Sequence, residues 1–344
     1  MVGIEDVAKA AGVSTATVSR ALSDKAHVSE KAKAKVKAAA AELGYVASSS
    51  AYTLATGRTR NIGVVLPYVD RWFFSVVLEA IENVLIDHGY DLTLYNLSGG
   101  QHQRDKIFRE FLRRKRVDGV LTVAVKLTDS ELTNLTQTRK PIVGIGGPIT
   151  GARTLTIDDR AAGRLATEHV IGLGHTRIAL IGGDEPTEMD FKQPSLRRDG
   201  YVDALDAHKL EARSSWFVPA DFTMQGAYHA AKQILGDPRN APTAIVCSSD
   251  EMGMGAIMAA KDLGLRVPQD VSIVGMDNHD SSEFFGLTTI NQDARGQGRF
   301  AAEKLLELLD GKHEGEPVNL EQNQEWPVEL LVRSSTARVN TGNR

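Results

Sequence analysis

The chain has 344 residues, of which 42% are hydrophobic and 24% charged, as in an ordinary globular protein of two or three domains. No apolar run approaches the ~20 residues that cross a bilayer, and the acidic N-terminal stretch does not fit a secretory signal. The single cysteine, Cys247, excludes an internal disulfide and has no metal-ligand spacing around it. These features predict a cytoplasmic protein.

The formal net charge of −4 conceals an asymmetry along the chain. Residues 1–60 hold nine Lys and Arg against five Asp and Glu, whereas residues 61–344 hold 31 against 39. A basic head on an acidic body predicts that the head is the part that meets an anionic polymer. On charge alone, a chance imbalance remains an equal alternative.

The first 45 residues carry the pattern of three short helices. Residues 4–11 place apolar side chains on one helical face, and Gly12 can end that helix in the left-handed conformation. Ser14 can cap a second helix over residues 15–22, and Ser29 can cap a third in which apolar residues repeat at helical spacing. Two short helices joined by a tight turn and closed by a third describe a helix-turn-helix unit.

The outer face of the second helix is polar. It consists of Thr15, Ala16, Thr17, Ser19 and Arg20. Hydroxyl groups can bond phosphates or base edges, and arginine can bind guanine through two parallel hydrogen bonds. This face favours DNA binding, while a plain three-helix bundle with a solvated face is the structural alternative.

The segment VAKAAGVSTATVSRALSDKAHVSEKAKAKVKAAAAELGY (7–45) resembles the DNA-binding head of the lactose-repressor (LacI/GalR) family. The resemblance implies a helix-turn-helix head over 1–45 and a hinge over 46–60. It implies base-edge contacts from Thr15, Ala16 and Arg20, and contacts to the sugar-phosphate backbone from Ser14, Thr17, Ser19 and His27. Because Ala16 offers only a methyl group, we expect it to meet a thymine methyl or to leave its base weakly read.

The hinge segment YVASSSAYTLATGRT (45–59) is polar except for one large aliphatic residue, Leu54. Ala51, Leu54 and Ala55 share one helical face, yet a segment this short is not a stable helix alone. The resemblance implies that two copies pair through small residues such as Ala51, and that Leu54 wedges between base steps in the minor groove. A flexible linker with an incidental leucine is the alternative. The family pattern is broken at Ala47, Ser48 and Tyr52, where a proline, an asparagine and an arginine are common.

From residue 61 onward, apolar runs alternate with helix-like segments. Such alternation predicts parallel sheets covered by helices on both faces, and the number of runs predicts two lobes with a ligand site between them. The predicted strands are 62–67, 91–97, 118–123, 141–146, 177–183, 244–250, 271–277 and 287–291. The predicted helices are 75–88, 101–115, 160–174, 223–235 and 251–264.

The body also resembles the effector domain of the same family, whose fold is that of periplasmic sugar-binding proteins. The segments that carry this resemblance are GHTRIALIGG (174–183), RRDGYVDAL (197–205), CSSDEMGMGA (247–256) and GLRVPQDVSIVGMDN (264–278). We therefore expect an N-terminal all-α helix-turn-helix head and an α/β body, 61–337, of two doubly wound parallel-sheet lobes. The expected division is lobe one at 61–156 plus 290–322 and lobe two at 157–289 plus 323–337.

The resemblance also implies an effector site at the strand ends. It assigns polar contacts to Asp158, Arg197, Ser249, Asp250, Asp277 and Gln292, and an aromatic wall to Trp72, Phe73 or Phe74. Phe73 and Phe74 are equally consistent with core packing, and Asp250 and Asp277 with helix capping. Ser249 stands where sugar-responsive relatives often have asparagine, and Ala294 where an aromatic residue can occur, so the sequence departs from the sugar-binding pattern at both positions. A sugar or sugar derivative is the effector that the resemblance implies first, and a purine or another small metabolite remains open.

No catalytic constellation accompanies these patterns. The glycine-rich segments at 144–151 and 253–258 carry Ile149 and Met258 where a dinucleotide fingerprint needs its last glycine, and no phosphate loop or nucleophile turn occurs. We predict no enzyme activity, no cofactor and no metal. The expected function is that of a homodimeric, sequence-specific transcriptional regulator, most simply a repressor, whose partners are operator DNA and a small effector. A solute-binding protein without a regulatory role is the alternative.

Overall fold

A computed structural model describes residues 2–22, 28–45, 53, 56–183, 192–311 and 323–339. They form a three-helix head followed by a body with two six-stranded sheets, which confirms the predicted fold class. Among the described helices, none is long and apolar enough to cross a membrane.

The head consists of α1 (Ile4–Ala11), α2 (Thr15–Leu22) and α3 (Glu30–Leu43). Gly12 ends α1 in the left-handed region at φ 67°, and the Ser29 hydroxyl accepts a backbone N–H bond at the start of α3. The helices bury a small aliphatic core of Val7, Ala8, Ala11, Val18, Ala21, Val36, Ala39 and Ala40. The local signals in the sequence therefore place all three helices correctly.

The body strands form two sheets in which neighbours are parallel, except that the last strand pairs antiparallel. The strands are β1 Asn61–Leu66, β2 Asp91–Asn96, β3 Gly119–Val123, β4 Ile142–Ile145, β5 Arg153–Thr156, β6 Ile178–Gly182, β7 Phe217–Pro219, β8 Ala244–Cys247, β9 Ser272–Asp277, β10 Thr288–Asn291, β11 Asn323–Glu325 and β12 Glu329–Leu331. The first sheet has the order β11-β5-β4-β3-β1-β2 and the second the order β12-β10-β9-β8-β6-β7.

Helices cover both faces of each sheet, because the parallel strands are buried on both sides. They are α4 Trp72–Asp87, α5 Gly100–Lys106, α6 Asp129–Thr136, α7 Asp159–Gly172, α8 Gln193–Ala207, α9 Met224–Leu235, α10 Asp250–Asp262 and α11 Ala294–Asp310. The predicted helix over 101–115 is shorter than expected, since α5 continues only as a π-helical turn over Ile107–Phe111. The helical segments predicted from the sequence do not include α6, α8 or α11.

The chain crosses between the lobes at positions that differ from two of the expected boundaries. Strand β10 pairs with β9, so 290 and 291 belong to lobe two rather than lobe one. Strand β11 pairs with β5, so 323–325 belong to lobe one rather than lobe two. Because β11 reads Asn-Gln-Glu and is exposed, no hydrophobic pattern could assign it to a sheet. Its Asn323 side chain instead accepts hydrogen bonds from the Thr154 and Thr156 hydroxyls.

Candidate functional site

A cleft of about 300 Å³ lies where the carboxyl ends of strands from both lobes meet. Such edges are the usual ligand sites of parallel sheets, because the loops that follow the strands converge there. The polar and aromatic side chains that line the cleft are Tyr68, Arg71, Phe73 and Phe74 from lobe one, Asp159, Gln193, Arg197, Asp221, Phe222, Ser249, Glu251 and Asp277 from lobe two, and Gln292 and Gln297 from the second crossing and the helix after it.

A buried ion pair forms one side of the cleft. The Arg197 Nε donates to Asp159 Oδ1 at 2.7 Å, and Arg197 Nη1 donates to the Ser248 carbonyl at 2.5 Å. Only 6% of Asp159 and 8% of Arg197 is exposed. Burial raises the pKa of the Asp159 carboxyl, and the Arg197 guanidinium opposes that rise. Arg197 Nη2 has no partner among the described residues, so it can donate to a bound molecule.

Two glycines position Arg197. A side chain at Gly163 in α7 would meet the Arg197 carbonyl at 2.3 Å, and one at Gly200 in α8 would meet the Arg160 carbonyl at 2.0 Å. Only glycine therefore lets α7 and α8 pack this closely. The close packing brings Arg197 on α8 against Asp159 on α7.

A chain of amides and one carboxyl forms a second polar group. Gln292 Nε2 donates to Asp277 Oδ1 at 2.5 Å, and Gln297 Nε2 donates to the Gln292 carbonyl at 2.7 Å. Burial raises the pKa of Asp277 to about 8, with Arg197 opposing. At neutral pH the Asp277 carboxyl is therefore mostly protonated, and it can donate as well as accept a hydrogen bond.

The predicted polar contacts Asp158 and Asp250 do not line the cleft. Asp158 is exposed and caps α7 by accepting the Ala161 backbone N–H at 2.8 Å. Its neighbour Asp159 occupies the cleft instead, because one residue along a helix turns the side chain by about 100°. Ser249, by contrast, both caps α10 and lines the cleft.

Asp250 is fully buried below the cleft. Its carboxylate accepts bonds from the Ser282 and Thr289 hydroxyls at 2.6 and 2.7 Å and from the His279 backbone N–H at 2.8 Å. These bonds tie the loop after β9 to β10. Asp250 therefore supports the walls of the site rather than facing it.

The aromatic wall differs in part from the expectation. Phe73 and Phe74 line the cleft, but Trp72 does not. Tyr68 and Phe222 complete the wall, and the Arg71 guanidinium lies 4.0 Å from the centre of the Tyr68 ring. Tyr68 follows β1 directly, so its position at a strand end was a usable signal. Phe222 follows β7, a three-residue strand that hydrophobic patterning did not detect.

Trp72 takes part in a second contact between the lobes. Its ring stacks on His279 at 4.8 Å between centres, and its Nε1 donates to Asp280 at 3.1 Å. Arg295 of lobe one also donates to Asp280, at 3.2 Å, and pairs with Glu79 of α4 at 2.5 Å. This interlobe latch, Trp72 and Arg295 on Asp280, holds the two lobes together beside the cleft.

Carboxyl groups outnumber guanidinium groups in the cleft. Two guanidinium groups, on Arg71 and Arg197, face four carboxyl groups, on Asp159, Asp221, Glu251 and Asp277. Burial raises the pKa of Glu251, and Arg71 opposes that rise. With Asp277 mostly protonated, the ionised carboxyl groups exceed the guanidinium groups by at most one, so the cleft is close to neutral and suits a neutral molecule with several hydrogen-bonding groups. The described residues contain no group of three metal-binding side chains.

In the head, the predicted DNA-facing residues lie on one surface of α2. Thr15, Ala16 and Arg20 are exposed, whereas Thr17 and Ser19 are half-buried. The exposed Ser14 caps α2, accepting the Thr17 backbone N–H at 3.2 Å. The remaining predicted DNA contacts, His27, Ala51 and Leu54, lie outside the described residues.

Comparisons with known proteins agree with this architecture. Residues 3–48 match the model for bacterial regulatory proteins of the lacI family, and residues 167–336 match the periplasmic binding protein-like domain. The HTH-type transcriptional repressor PurR of Serratia proteamaculans (strain 568) is 38% identical over 320 residues, which cover 91% of this chain and 92% of that protein.

Two solved structures are similar across almost the whole chain. The lac repressor dimer bound to operator and the anti-inducer ONPF is 30% identical, with a TM-score of 0.81, and covers 98% of this chain and 99% of its own. The transcriptional regulator CelR in complex with cellobiose is 28% identical, with a TM-score of 0.69, and covers 97% of this chain and 100% of its own.

The fold, the head and these relatives define a DNA-binding transcriptional regulator with an effector-binding body. The chain belongs to the lacI family of bacterial regulatory proteins. The expectation of a regulator rather than an enzyme is confirmed, since the relatives are named as repressors. The alternative of a solute-binding protein without a regulatory role is thereby set aside.

Proposed function

We propose that this regulator is a repressor whose affinity for its operator is controlled by a small, neutral effector bound in the interlobe cleft, with a sugar as the first candidate. The observation that carries the proposal is the cleft itself, because both lobes contribute aromatic or polar side chains to one site at their strand ends. A molecule bound to both lobes stabilises one angle between them.

A sugar suits the chemistry of the site. Its hydroxyl groups can donate to the carboxyl groups of Asp159 and Asp277 and accept from Arg197, while the apolar face of its ring can pack on Phe74 or Phe222. The structural relative bound to cellobiose supports this class. A sugar phosphate would bring negative charge into a cleft whose two guanidinium groups are already offset by carboxyl groups, which argues against that class.

A planar nitrogen heterocycle such as a purine base is the second candidate. Four aromatic side chains line the cleft, and they come from both lobes, as a flat ring held between two faces would require. The ring nitrogens could accept from Arg197 or from the protonated Asp277.

For DNA recognition, the proposal keeps the contacts that the family resemblance implies. The exposed Thr15, Ala16 and Arg20 would face base edges, and Ser14, Thr17, Ser19 and His27 the backbone. Ala51 and Leu54 would pair with their copies in a second subunit, with Leu54 as the minor-groove wedge. The substitution Leu54→Ala should then reduce DNA bending in a circular-permutation gel assay, and unchanged bending would remove the wedge.

The regulator would act in the cytoplasm as a homodimer on a near-palindromic operator. The dimeric lac repressor relative supports the same assembly. Operator and effector must then change each other's affinity by the same factor.

The full-length chain with a defined ligand panel tests the proposal. The panel contains ribose, glucose, cellobiose, adenine, guanine and glucose 6-phosphate, each scored by its shift in melting temperature and by its effect on binding to a duplex selected from random sequences. We expect at least one neutral compound to raise the melting temperature and to change operator affinity. A response to the phosphorylated sugar alone would contradict the assigned cleft chemistry.

A further inference from the structure

The edge of the first sheet opposite the cleft carries a concentration of positive charge. The segment 106–116 contains six Lys and Arg and only one acid, although the body as a whole is acidic. The chain after α5 runs back from the carboxyl edge of the sheet to its amino edge, because β3 is parallel to β1. Arg113 to Arg116 therefore lie at the amino edge, where the hinge enters the body.

Hydrogen bonds show how close this cluster is to the hinge. The Asn61 side-chain amide donates to the Arg116 carbonyl at 2.9 Å, and the Asp118 backbone N–H donates to the Asn61 carbonyl at 2.7 Å. The Asp118 carboxylate accepts the backbone N–H groups of Thr59 and Arg60 at 2.8 Å. The last hinge residues are thus fastened to the cluster.

The amino edge of β4 adds two more cations, Arg139 and Lys140. The Lys140 Nζ donates to the Leu112 carbonyl at 3.4 Å, which places its ammonium group beside the start of the cluster at Arg113. We define the amino-edge patch as Arg113, Arg114, Lys115, Arg116, Arg139 and Lys140.

Most of the patch is exposed and uncompensated. Arg114 pairs with Glu110 at 3.2 Å and lies over the Phe111 ring. Arg113, Lys115, Arg116 and Arg139 form no ion pair with any residue in the described part of the chain. Clustered like charges repel each other, and a polyanion relieves that repulsion.

We infer that the amino-edge patch binds the phosphate backbone of the operator duplex outside the bases that the heads read, an inference that rests on the proposed function. Six residues separate Leu54 from Arg60, a reach of about 20 Å at full extension. The start of the body, and the patch beside it, would therefore lie within about 20 Å of a duplex held by the hinge. Arginine and lysine side chains on this edge would supply phosphate contacts that carry no base information.

The test compares two lengths of one duplex. A site selected from random sequences with the wild-type protein is prepared with blunt ends at its borders, and again with about ten additional base pairs, one helical turn, on each side. The variant Arg113→Gln/Lys115→Gln/Arg116→Gln removes three charges without touching the paired Arg114. The control, Lys209→Gln/Arg239→Gln/Lys261→Gln, removes three exposed charges from lobe two.

On the flanked duplex we expect the patch variant to bind on the order of tenfold more weakly, and its slope of log affinity against log salt to fall by about 0.9 for each phosphate contact removed. On the short duplex it should match the wild type, and the control should match the wild type on both. Equal affinity of patch variant and wild type on both duplexes, or an equal loss on both, would overturn the inference.

Two further measurements separate the remaining outcomes. If the patch binds a polyglutamate peptide while flank length has no effect, the partner is an acidic protein segment and the DNA assignment is wrong. If the wild-type protein selects no duplex at all, the proposed function fails rather than this inference. The melting temperature of the patch variant should equal that of the wild type, so that any loss of DNA binding reflects the removed charges and not unfolding.

Discussion

The head and the cleft are built in opposite ways. The head is built from interactions between residues that are close in the chain. Each of its helices is under fifteen residues long, Gly12 ends α1, and Ser29 begins α3. The cleft gathers Tyr68, Arg197 and Gln292 from a stretch of chain that spans more than two hundred residues. DNA recognition can therefore be altered one side chain at a time, whereas effector recognition depends on the packing of two lobes.

The largest expected effect comes from Arg197→Ala, which tests whether the cleft is separable from the head. It leaves the Asp159 carboxyl buried without its partner, and breaking such a pair costs up to roughly 3–5 kcal/mol of unfolding free energy. We expect the ligand-dependent rise in melting temperature to disappear, while operator binding at low temperature persists.

The matched control for that change is Asp158→Ala, at the residue beside Asp159. It removes a helix cap worth about 1 kcal/mol and should leave the effector response in place. If Asp158→Ala abolished the response and Arg197→Ala did not, the site would have to be moved away from the ion pair.

A change in the head should act on DNA alone. Arg20 is exposed on α2, and Arg20→Ala should cost about 1–3 kcal/mol on the selected site and relax the preference at one base position. Competition between the selected site and random DNA measures this loss. Equal weakening on both would mean that Arg20 contacts phosphate rather than a base.

The pH dependence of the melting temperature should reflect the titration of Asp277 in the cleft and not the titration of groups in the head. The Asp277 pKa is raised to about 8 in the folded chain, against about 3.9 unfolded, so its contribution is complete at low pH and is lost as pH rises towards 8. Without effector, Asp277→Asn should show a smaller fall in melting temperature between pH 5 and pH 8 than the wild type. Identical profiles would show that Asp277 is ionised throughout.

The smallest expected effect concerns the interlobe latch. Asp280→Asn weakens the contacts with Trp72 and Arg295, which are partly solvated, so effector affinity should fall by no more than about fivefold. Titration calorimetry with the effector found above measures this change. Glu283→Gln, an exposed acid on the same loop, is the control and should have no effect.

Sequence patterns predicted the three helices of the head, because capping and helical periodicity are local signals. They also located the six-residue buried strands β1 and β9, whose central residues are apolar. They missed β5, β7, β11 and β12, because strands of three or four residues, mostly polar or at the sheet edges, lack a periodic signal.

Of the six polar residues that the sequence assigns to the effector site, Arg197, Ser249, Asp277 and Gln292 line the cleft, whereas Asp158 and Asp250 do not. All six lie near strand ends, and only the three-dimensional packing decides which of them turn inward. The sequence does not single out Tyr68 and Phe222, because an aromatic residue just after a strand also fits a core position.

Strand β1 joins the two functions mechanically. It begins at Asn61 beside the hinge, ends at Leu66 beside the cleft, and four of its six side chains are completely buried. The strand is about 20 Å long. A rigid rotation of about 10° about its cleft end would therefore move its hinge end by roughly 3–4 Å. A displacement of that size, doubled by symmetry in a dimer, is enough to separate two side chains in van der Waals contact.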